Sequence, residues 1–144
     1  MSDPLLEGTG KIFIDTNVVV YAVDRADPAK QRRCREVLRA AATSGRGVVS
    51  TQVLQELFVV LTSKLGMDPL DAKEIVAAQE NFEVVLVTPA LVRDAIDCSI
   101  LSRLSFWDAL LAVTAESAAC VCLVTEDLNH GKLIGGIRVT SPFA

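Results

Sequence analysis

The chain has 144 residues, of which 51% are hydrophobic, and a formal net charge of −4 at pH 7. This length predicts one domain with a core that buries roughly two thirds of the surface of the unfolded chain. No uncharged run reaches the roughly 18 to 20 residues of a membrane helix, and Asp3 and Glu7 stand where a signal peptide would carry basic residues. We therefore expect a cytoplasmic protein without membrane contact.

The cysteines and the single histidine argue against two classes of functional site. The spacing of Cys34, Cys98, Cys120 and Cys122 differs from that of a zinc finger or ribbon and is typical of a reduced protein. His130 is the only histidine, and no Gly-x-Ser-x-Gly turn accompanies it. The cysteine spacing argues against a structural zinc site, and the single histidine argues against a Ser/His/Asp or Cys/His hydrolase.

The first half of the chain alternates short apolar runs with helical patterns. Asp27 and Asp68 each precede a proline, an arrangement that predicts a helix N-cap, and Gly66 predicts a helix end. The predicted elements are a strand at 11–14, a helical turn or two at 16–23, a helix at 28–42, a strand at 48–50, a helix capped by Ser50 or Thr51 that ends at Gly66, and a helix at 69–80.

The second half continues this alternation. Thr88 and Ser105 are predicted to cap two successive helices, the first of which ends near Ser102. The predicted strands are 84–87, 121–124 and, at an edge, 137–140. Because the strand sequences are continuously apolar and alternate with helices, they predict a parallel sheet covered on both faces. Ligands bind beyond the carboxyl ends of the strands in such a fold.

Isolated carboxylates mark the candidate site. Asp15, Glu56 and Asp108 are each the only charge in an apolar stretch, and Asp127 follows the predicted strand 121–124. Asp15 directly follows the first strand, whereas the neighbours of Asp108 and Glu56 on the same helix face are apolar. Since an unpaired buried charge costs several kcal/mol, a bound divalent cation is the simplest shared explanation.

Each acid also has a purely structural interpretation. Asp15 can cap the helix that follows it, and Asp108 can form a capping box with Ser105. Glu56 can pair with Lys64 or a distant arginine, and Asp127 can be a solvated turn residue. These interpretations require four separate explanations, whereas a common site accounts for all four acids together.

Each of the four acids stands in a short motif. The motifs are Asp15-Thr16-Asn17, Gln55-Glu56-Leu57, Phe106-Trp107-Asp108-Ala109 and Thr125-Glu126-Asp127-Leu128. In this order they resemble the four acidic motifs of PIN-domain ribonucleases, and their spacing most resembles the VapC toxins of bacterial toxin-antitoxin pairs. The ending Asp127-Leu128-Asn129-His130-Gly131 also resembles a common form of the last motif in this family. The resemblance extends from about Lys11 to Thr140.

The resemblance implies a PIN-like, three-layer α/β/α fold with a central, mainly parallel sheet of four to five strands. Residues 1–10 would form an N-terminal tail and residues 11–144 a single domain. The implied activity is metal-dependent hydrolysis of RNA phosphodiesters, with one or two Mg²⁺ or Mn²⁺ ions. The implied catalytic and metal-binding residues are Asp15, Glu56, Asp108 and Asp127, with Asn17 and Thr125 orienting a carboxylate or a water by hydrogen bonding.

The resemblance also implies partners, namely an RNA substrate, a cognate antitoxin protein and a second copy of the chain in a homodimer. An acidic protein gains little from general attraction to phosphate, so RNA binding needs a local basic surface. Arg32, Arg35 and Arg39 share one helix face and are the candidates, although a solvated face explains them equally well. Four apolar residues on the early helices are expected to be buried, either against a protein partner or in the core. They are Val19, Val20, Leu54 and Phe58.

Three other functions are compatible with parts of the pattern. A haloacid-dehalogenase phosphohydrolase also has an Asp after its first strand, but it needs a second Asp where this chain has Asn17. A phospho-acceptor receiver domain needs an acceptor Asp after its middle strand, where this chain has Thr88. A non-catalytic interaction domain with the same fold remains open, and metal-dependent cleavage is the property that separates it from an enzyme.

Overall fold

One sheet of six strands organises the protein, for which a computed structural model describes residues 2–144. The strand order is β3-β2-β1-β4-β6-β5, and every neighbouring pair is parallel except β5 and β6, which are antiparallel. The strands are β1 (Lys11–Ile14), β2 (Gly47–Ser50), β3 (Glu83–Val85), β4 (Cys120–Val124), β5 (Leu133–Ile134) and β6 (Ile137–Thr140).

Helices connect and cover these strands. The helices are α1 (Pro4–Glu7), α2 (Thr16–Val23), α3 (Pro28–Ser44), α4 (Thr51–Ser63), α5 (Pro69–Ala78), α6 (Pro89–Ser102) and α7 (Phe106–Ser117), with a 3₁₀ turn at Gln79–Asn81. Among residues 2–144, no single helix is both long and apolar enough to cross a membrane, and α6 with α7 meets that test only as a pair bent by 117°.

The predicted caps account for where the helices begin. Asp27, Ser50, Asp68, Thr88 and Ser105 each accept a hydrogen bond from a backbone N–H in the first turn of the following helix. These bonds satisfy donors that have no partner within the helix itself. The cap predictions are therefore confirmed, and the helix starts were readable from local sequence.

The mainly parallel sheet flanked by helices confirms the predicted fold class, and the differences concern the number and order of the strands. It has six strands rather than four to five, and β6 lies between β4 and β5 rather than at the edge. The missed strand, β5, has only two residues, too few to show a hydrophobic period. Ile134 pairs with Ile137 across Gly135 and Gly136, and Gly135 has a φ of +58°, which glycine adopts without strain.

The core lies on both faces of β1 and β2. Ile12, Phe13 and Ile14 have no exposed surface, and all four residues of β2 are buried. β1 and β4 are adjacent and parallel, with Ile14 beside Val124, so their carboxyl ends reach the same edge of the sheet. This arrangement places the chain segments that follow β1 and β4 next to each other.

The segment before β1, expected as a tail, includes α1 and contacts the rest of the molecule. Leu5 is 2% exposed and belongs to the main hydrophobic core. Asp3 caps α1 and forms an ion pair with Arg33, with 2.7 Å between Oδ2 and Nη1. Arg46 donates hydrogen bonds to the carbonyl oxygens of Gly10 and Pro4 at 2.7 and 3.2 Å. These contacts attach the segment to α3 and to the start of β2.

We expect Asp3→Asn to lower the free energy of unfolding at pH 7 by up to about 1 kcal/mol, because asparagine retains the helix cap but loses the ion pair. The hydrogen bond from Arg33 holds the pKa of the Asp3 carboxyl below its usual 3.8. A lowered native pKa contributes stability above the unfolded-state pKa and loses it as the pH falls through the native value. Denaturant titrations should therefore show the difference between variant and wild type shrinking below about pH 3.8. A difference that is constant with pH would contradict this account.

Candidate active site

A cavity of about 470 Å³ at the carboxyl ends of β1 and β4 contains all four predicted acids. Asp24 and Glu126 also line it, and among residues 2–144 the one basic residue that lines it is Lys64. The carboxylates outnumber the basic side chains at the cavity, so it has a negative potential that attracts cations. The four predicted acids come from four separate segments, namely helix α4, helix α7, the loop after β1 and the loop after β4.

Asp15 is the most buried of these acids, with 4% of its surface exposed. Its Oδ1 accepts the backbone N–H of Thr16 at 2.7 Å, so Asp15 caps α2 as the structural interpretation requires. Burial raises the pKa of Asp15 to about 6, while the hydrogen bonds from Thr125 and Thr16 act in the opposite direction. The nearby carboxylates of Asp127 and Glu56 raise the pKa further. A cation in the cavity would offset both the cost of burying the Asp15 carboxylate and its repulsion by Asp127 and Glu56.

Asn17 and Thr125 connect Asp15 to Asp127. The Oγ1 of Thr125 donates to Asp15 Oδ2 at 2.8 Å and accepts the backbone N–H of Asp127 at 3.1 Å. The Nδ2 of Asn17 lies within hydrogen-bond distance of Asp15 Oδ2, Thr125 Oγ1 and Asp127 Oδ2, at 3.2, 2.9 and 3.1 Å. Because Asp127 is exposed, these bonds give its side chain a defined position that the loop alone would not provide.

Glu56 lies on α4 with its carboxylate held at both oxygens. Gln52 Nε2 donates to Oε1 at 3.0 Å, and Thr16 Oγ1 donates to Oε2 at 3.1 Å. The ion pairs among residues 2–144 include neither Glu56 nor Lys64, so the alternative pairing of these two side chains does not occur. Glu56 is therefore hydrogen-bonded to Thr16, the neighbour of Asp15, and its charge has no ion-pair partner among residues 2–144.

Asp108 lies in the first turn of α7, half-buried at the cavity wall. Its backbone N–H donates to Ser105 Oγ at 3.1 Å, which is one half of the predicted capping box. The hydrogen bonds of residues 2–144 do not include the other half, from the Ser105 N–H to the Asp108 carboxylate, so this carboxylate is not used as a cap. Trp107 is 61% exposed, lines the same cavity and packs edge-on against Phe106, with the ring centroids 5.1 Å apart. The start of α7 therefore places one carboxylate and one exposed aromatic ring at the cavity.

Glu126 differs from its neighbour Asp127 in having a basic partner. Lys30 Nζ and Tyr21 Oη donate to the two oxygens of its carboxylate. The hydrogen bond from Lys30 lowers the pKa of Glu126, and the hydrogen bond to Glu126 raises the pKa of Tyr21. Lys30 also lies 4.9 Å from the ring centroids of both Tyr21 and Phe143. Glu126 is therefore neutralised locally, whereas Asp127 has no ion-pair partner among residues 2–144.

The predicted RNA-contact residues lie outside this cavity. Arg32, Arg35 and Arg39 are exposed and line a separate surface depression on α3, which they share with Glu36. Arg35 Nε donates to the carbonyl oxygen of Ala22 at 2.8 Å, so this side chain helps to connect α3 to α2. The face is basic and accessible, but it does not contribute to the acidic cavity.

The candidate partner-binding residues divide between core and surface. Val19 is 2% exposed and belongs to the core, and Val20 and Leu54 are partly buried against it. Phe58 is 39% exposed and the adjacent Val59 is 57% exposed. Of the four apolar residues named from the sequence, Phe58 alone is largely available to a partner.

The donor set suits a hydrated hard cation rather than a closed metal cage. Among residues 2–144, no three Asp, Glu, His or Cys side chains are grouped so that they could ligate one ion directly. Mg²⁺ commonly uses only one or two carboxylates and keeps several waters, and the cavity volume leaves room for those waters. The buried Asp15 carboxylate, which lacks a cationic partner among the described residues, supplies the charge that such an ion would balance.

Sequence analysis did not identify the hydrogen-bond donors of Glu56. Thr16 stands next to Asp15, and Gln52 lies four residues before Glu56, the spacing at which side chains meet on one helix face. That spacing was a usable signal for Gln52. The contact between Lys30 and Glu126 joins residues 96 positions apart, and no local pattern predicts it.

Comparisons with known proteins support the same architecture. No curated protein matches this chain in sequence. A toxin-antitoxin complex from Klebsiella pneumoniae is similar in structure, with a TM-score of 0.69 and 17% identity over 92% of this chain and 98% of that chain. DNA-bound VapBC from Salmonella typhimurium has a TM-score of 0.68 and 21% identity over 93% of this chain and 99% of that chain.

A further similar structure is Mycobacterium tuberculosis VapC20, described as a toxin that cleaves the sarcin-ricin loop. It has a TM-score of 0.63 and 21% identity over 78% of this chain and 87% of that chain. At these identities the likeness establishes the fold. The sequence itself matches the family described as PIN domain over residues 12–134, which confirms the resemblance seen in the motifs. The chain therefore belongs to the PIN domain family.

Proposed function

We propose that this protein is a Mg²⁺- or Mn²⁺-dependent endoribonuclease and the toxin of a VapBC-like toxin-antitoxin pair. The observation that carries the proposal is the convergence of Asp15, Glu56, Asp108 and Asp127 on one cavity. Asp15 is buried there with a raised pKa, an arrangement that a protein retains at a cost in stability. Membership of the PIN family favours this function over the haloacid-dehalogenase alternative.

One or two of the four acids would bind the cation directly and the others through its waters, and the residues around them determine how they are presented. The cation supplies an activated water and stabilises the negative charge that builds up on the attacked phosphate and the leaving oxygen. Thr125 and Asn17 hold Asp15 and Asp127 together through the bonds described above. This arrangement orients oxygen donors before substrate arrives, so less reorganisation is required during the reaction.

RNA is the proposed substrate class because a similar structure, VapC20, is described as a toxin that cleaves the sarcin-ricin loop. A net charge of −4 gives little general attraction to phosphate, so recognition would depend on shape and local contacts. The basic face of Arg32, Arg35 and Arg39 remains the proposed RNA-binding surface. Charge reversal at Arg32 and Arg39, which leaves the bond from Arg35 to α2 in place, should weaken RNA cleavage without changing metal affinity.

A cognate antitoxin is the proposed regulatory partner, since two similar structures are described as a toxin-antitoxin complex and as VapBC. The acidic cavity is suited to a basic side chain that such a partner could insert when the toxin is held inactive. The exposed residues Phe58 and Val59 supply apolar area for the antitoxin or for a second copy of the chain. The homodimer remains a prediction.

Removal of the metal tests the proposed function. We expect the purified protein to cut RNA in Mg²⁺ or Mn²⁺, to lose activity in EDTA and to regain it when the metal is restored. In the absence of RNA, the same ions should raise the melting temperature, because a ligand that binds only the folded state stabilises it. Cleavage that persists in EDTA would identify a contaminating or metal-independent nuclease. The absence of both cleavage and a thermal shift would favour the non-catalytic interaction domain.

A further inference from the structure

Gln52 contacts the segments that carry two of the four acids. It lies on α4, one turn before Glu56, and is 4% exposed. Its Nε2 donates to Glu56 Oε1 at 3.0 Å and lies 3.4 Å from the carbonyl oxygen of Trp107, the residue before Asp108. A single amide group therefore connects the side chain of Glu56 to the first turn of α7.

This contact completes a continuous set of hydrogen bonds across the cavity. Thr125 and Asn17 join Asp127 to Asp15, and Thr16 Oγ1 joins the segment of Asp15 to Glu56. Gln52 then extends the connection from Glu56 to α7. Without Gln52, no hydrogen bond among residues 2–144 would connect α4, which carries Glu56, to α7, which carries Asp108.

The position of Gln52 has an energetic cost. Its Oε1 is buried and has no hydrogen-bond partner among the described residues. A buried polar group left without a partner is destabilising, whereas an apolar side chain of similar shape avoids that cost. Methionine has nearly the same length and volume as glutamine and would fill the space without the penalty. What the amide gains at this position is the pair of contacts from Nε2 to Glu56 and Trp107, both in the segments that carry the acids.

We propose that Gln52 is a positioning residue that fixes the carboxylate of Glu56 relative to Asp108 and thereby sets the affinity of the cavity for its divalent cation. The inference deepens the proposed function and rests on it. Gln52 does not touch the reacting atoms in this account. It acts through Glu56, as the outer hydrogen-bond partners of metal ligands generally do.

The test is a calorimetric titration of Mn²⁺ into metal-free protein, comparing the wild type with Gln52→Met. We expect the dissociation constant for Mn²⁺ to rise about 10- to 100-fold, the usual effect of losing a partner that orients a metal ligand. The melting temperature of the metal-free variant should change little, because removal of the unpartnered Oε1 offsets the loss of the two bonds from Nε2. Loss of affinity without loss of stability separates positioning from a purely structural role.

Gln79→Met is the matched control. Gln79 is also buried, donates to the carbonyl oxygen of Ile75 at 2.9 Å and has an Oε1 without a partner, but it does not line the acidic cavity. Its variant should bind Mn²⁺ like the wild type. Gln52→Asn provides a second variant with amide chemistry and a shorter reach, and it should weaken Mn²⁺ binding as Gln52→Met does.

The outcomes distinguish this inference from the function on which it rests. Wild-type affinity in both Gln52→Met and Gln52→Asn would overturn the positioning role while leaving the metal centre intact. An equal loss of affinity in Gln79→Met would also overturn it, since the effect would then follow from any buried glutamine. A wild-type protein that binds no Mn²⁺ would instead refute the proposed metal centre itself.

Discussion

Asp15→Asn should lower kcat/KM for RNA cleavage by at least about 10²- to 10³-fold, the range for loss of one preorganised group that stabilises charge in a transition state. Asp15 is the most buried of the four acids in the cavity, and it receives hydrogen bonds from Thr16, Asn17 and Thr125. Asparagine can still cap α2, so we expect the fold to be retained. Initial rates on a defined RNA, with the melting temperature of each preparation, measure both effects.

Asp94→Asn is the control for this substitution. Asp94 is exposed on α6 and does not line the acidic cavity, so its loss removes the same charge from the protein without touching the proposed centre. We expect near wild-type cleavage from this variant. Equal activity of Asp15→Asn and the wild type would contradict the assignment of Asp15 to the reaction.

Phe13→Ala should lower the free energy of unfolding by about 3 to 5 kcal/mol, the usual cost of removing a buried aromatic side chain. Phe13 lies on β1 with no exposed surface and is paired in register with Val48 and Leu123 on the two neighbouring strands. Since domains are stable by only about 5 to 15 kcal/mol, this loss is a large fraction of the total. Urea titration monitored by circular dichroism measures the effect.

Leu101→Ala tests whether burial explains that cost. Leu101 is 84% exposed on α6, and its truncation should change the free energy of unfolding by no more than about 0.5 kcal/mol. A similar loss for both substitutions would indicate that Leu101 is buried in solution, for example at an interface between copies. A small loss for Phe13→Ala would contradict the central position of β1 in the core.

Local chemistry explains why so much of the fold was predictable. Helix starts depend on caps such as Asp27 and Thr88, whose side chains act within three residues of their own position. The acids were equally visible, because Asp15, Glu56 and Asp108 interrupt apolar stretches in which a charge is costly. The structure brings these three acids and Asp127 to one cavity, and the cation that would explain them together stays a prediction.

Contacts between distant segments explain what was missed. The packing of Leu5 into the core and the ion pair between Asp3 and Arg33 depend on tertiary arrangement rather than on a local period. β5 is too short to show a pattern, although the two glycines after it are a hairpin signal. Thr16 reaches Glu56 across 40 positions, so its part in the cavity becomes apparent only in the folded chain.

Anomalous diffraction from crystals soaked in Mn²⁺ tests the central claim most directly. The account predicts a peak inside the acidic cavity, at coordination distance from at least one carboxylate oxygen of Asp15, Glu56, Asp108 or Asp127, and its loss in Asp15→Asn crystals. A cavity without a peak at saturating Mn²⁺, or a peak bound only by residues outside the cavity, would contradict a metal centre at these four acids.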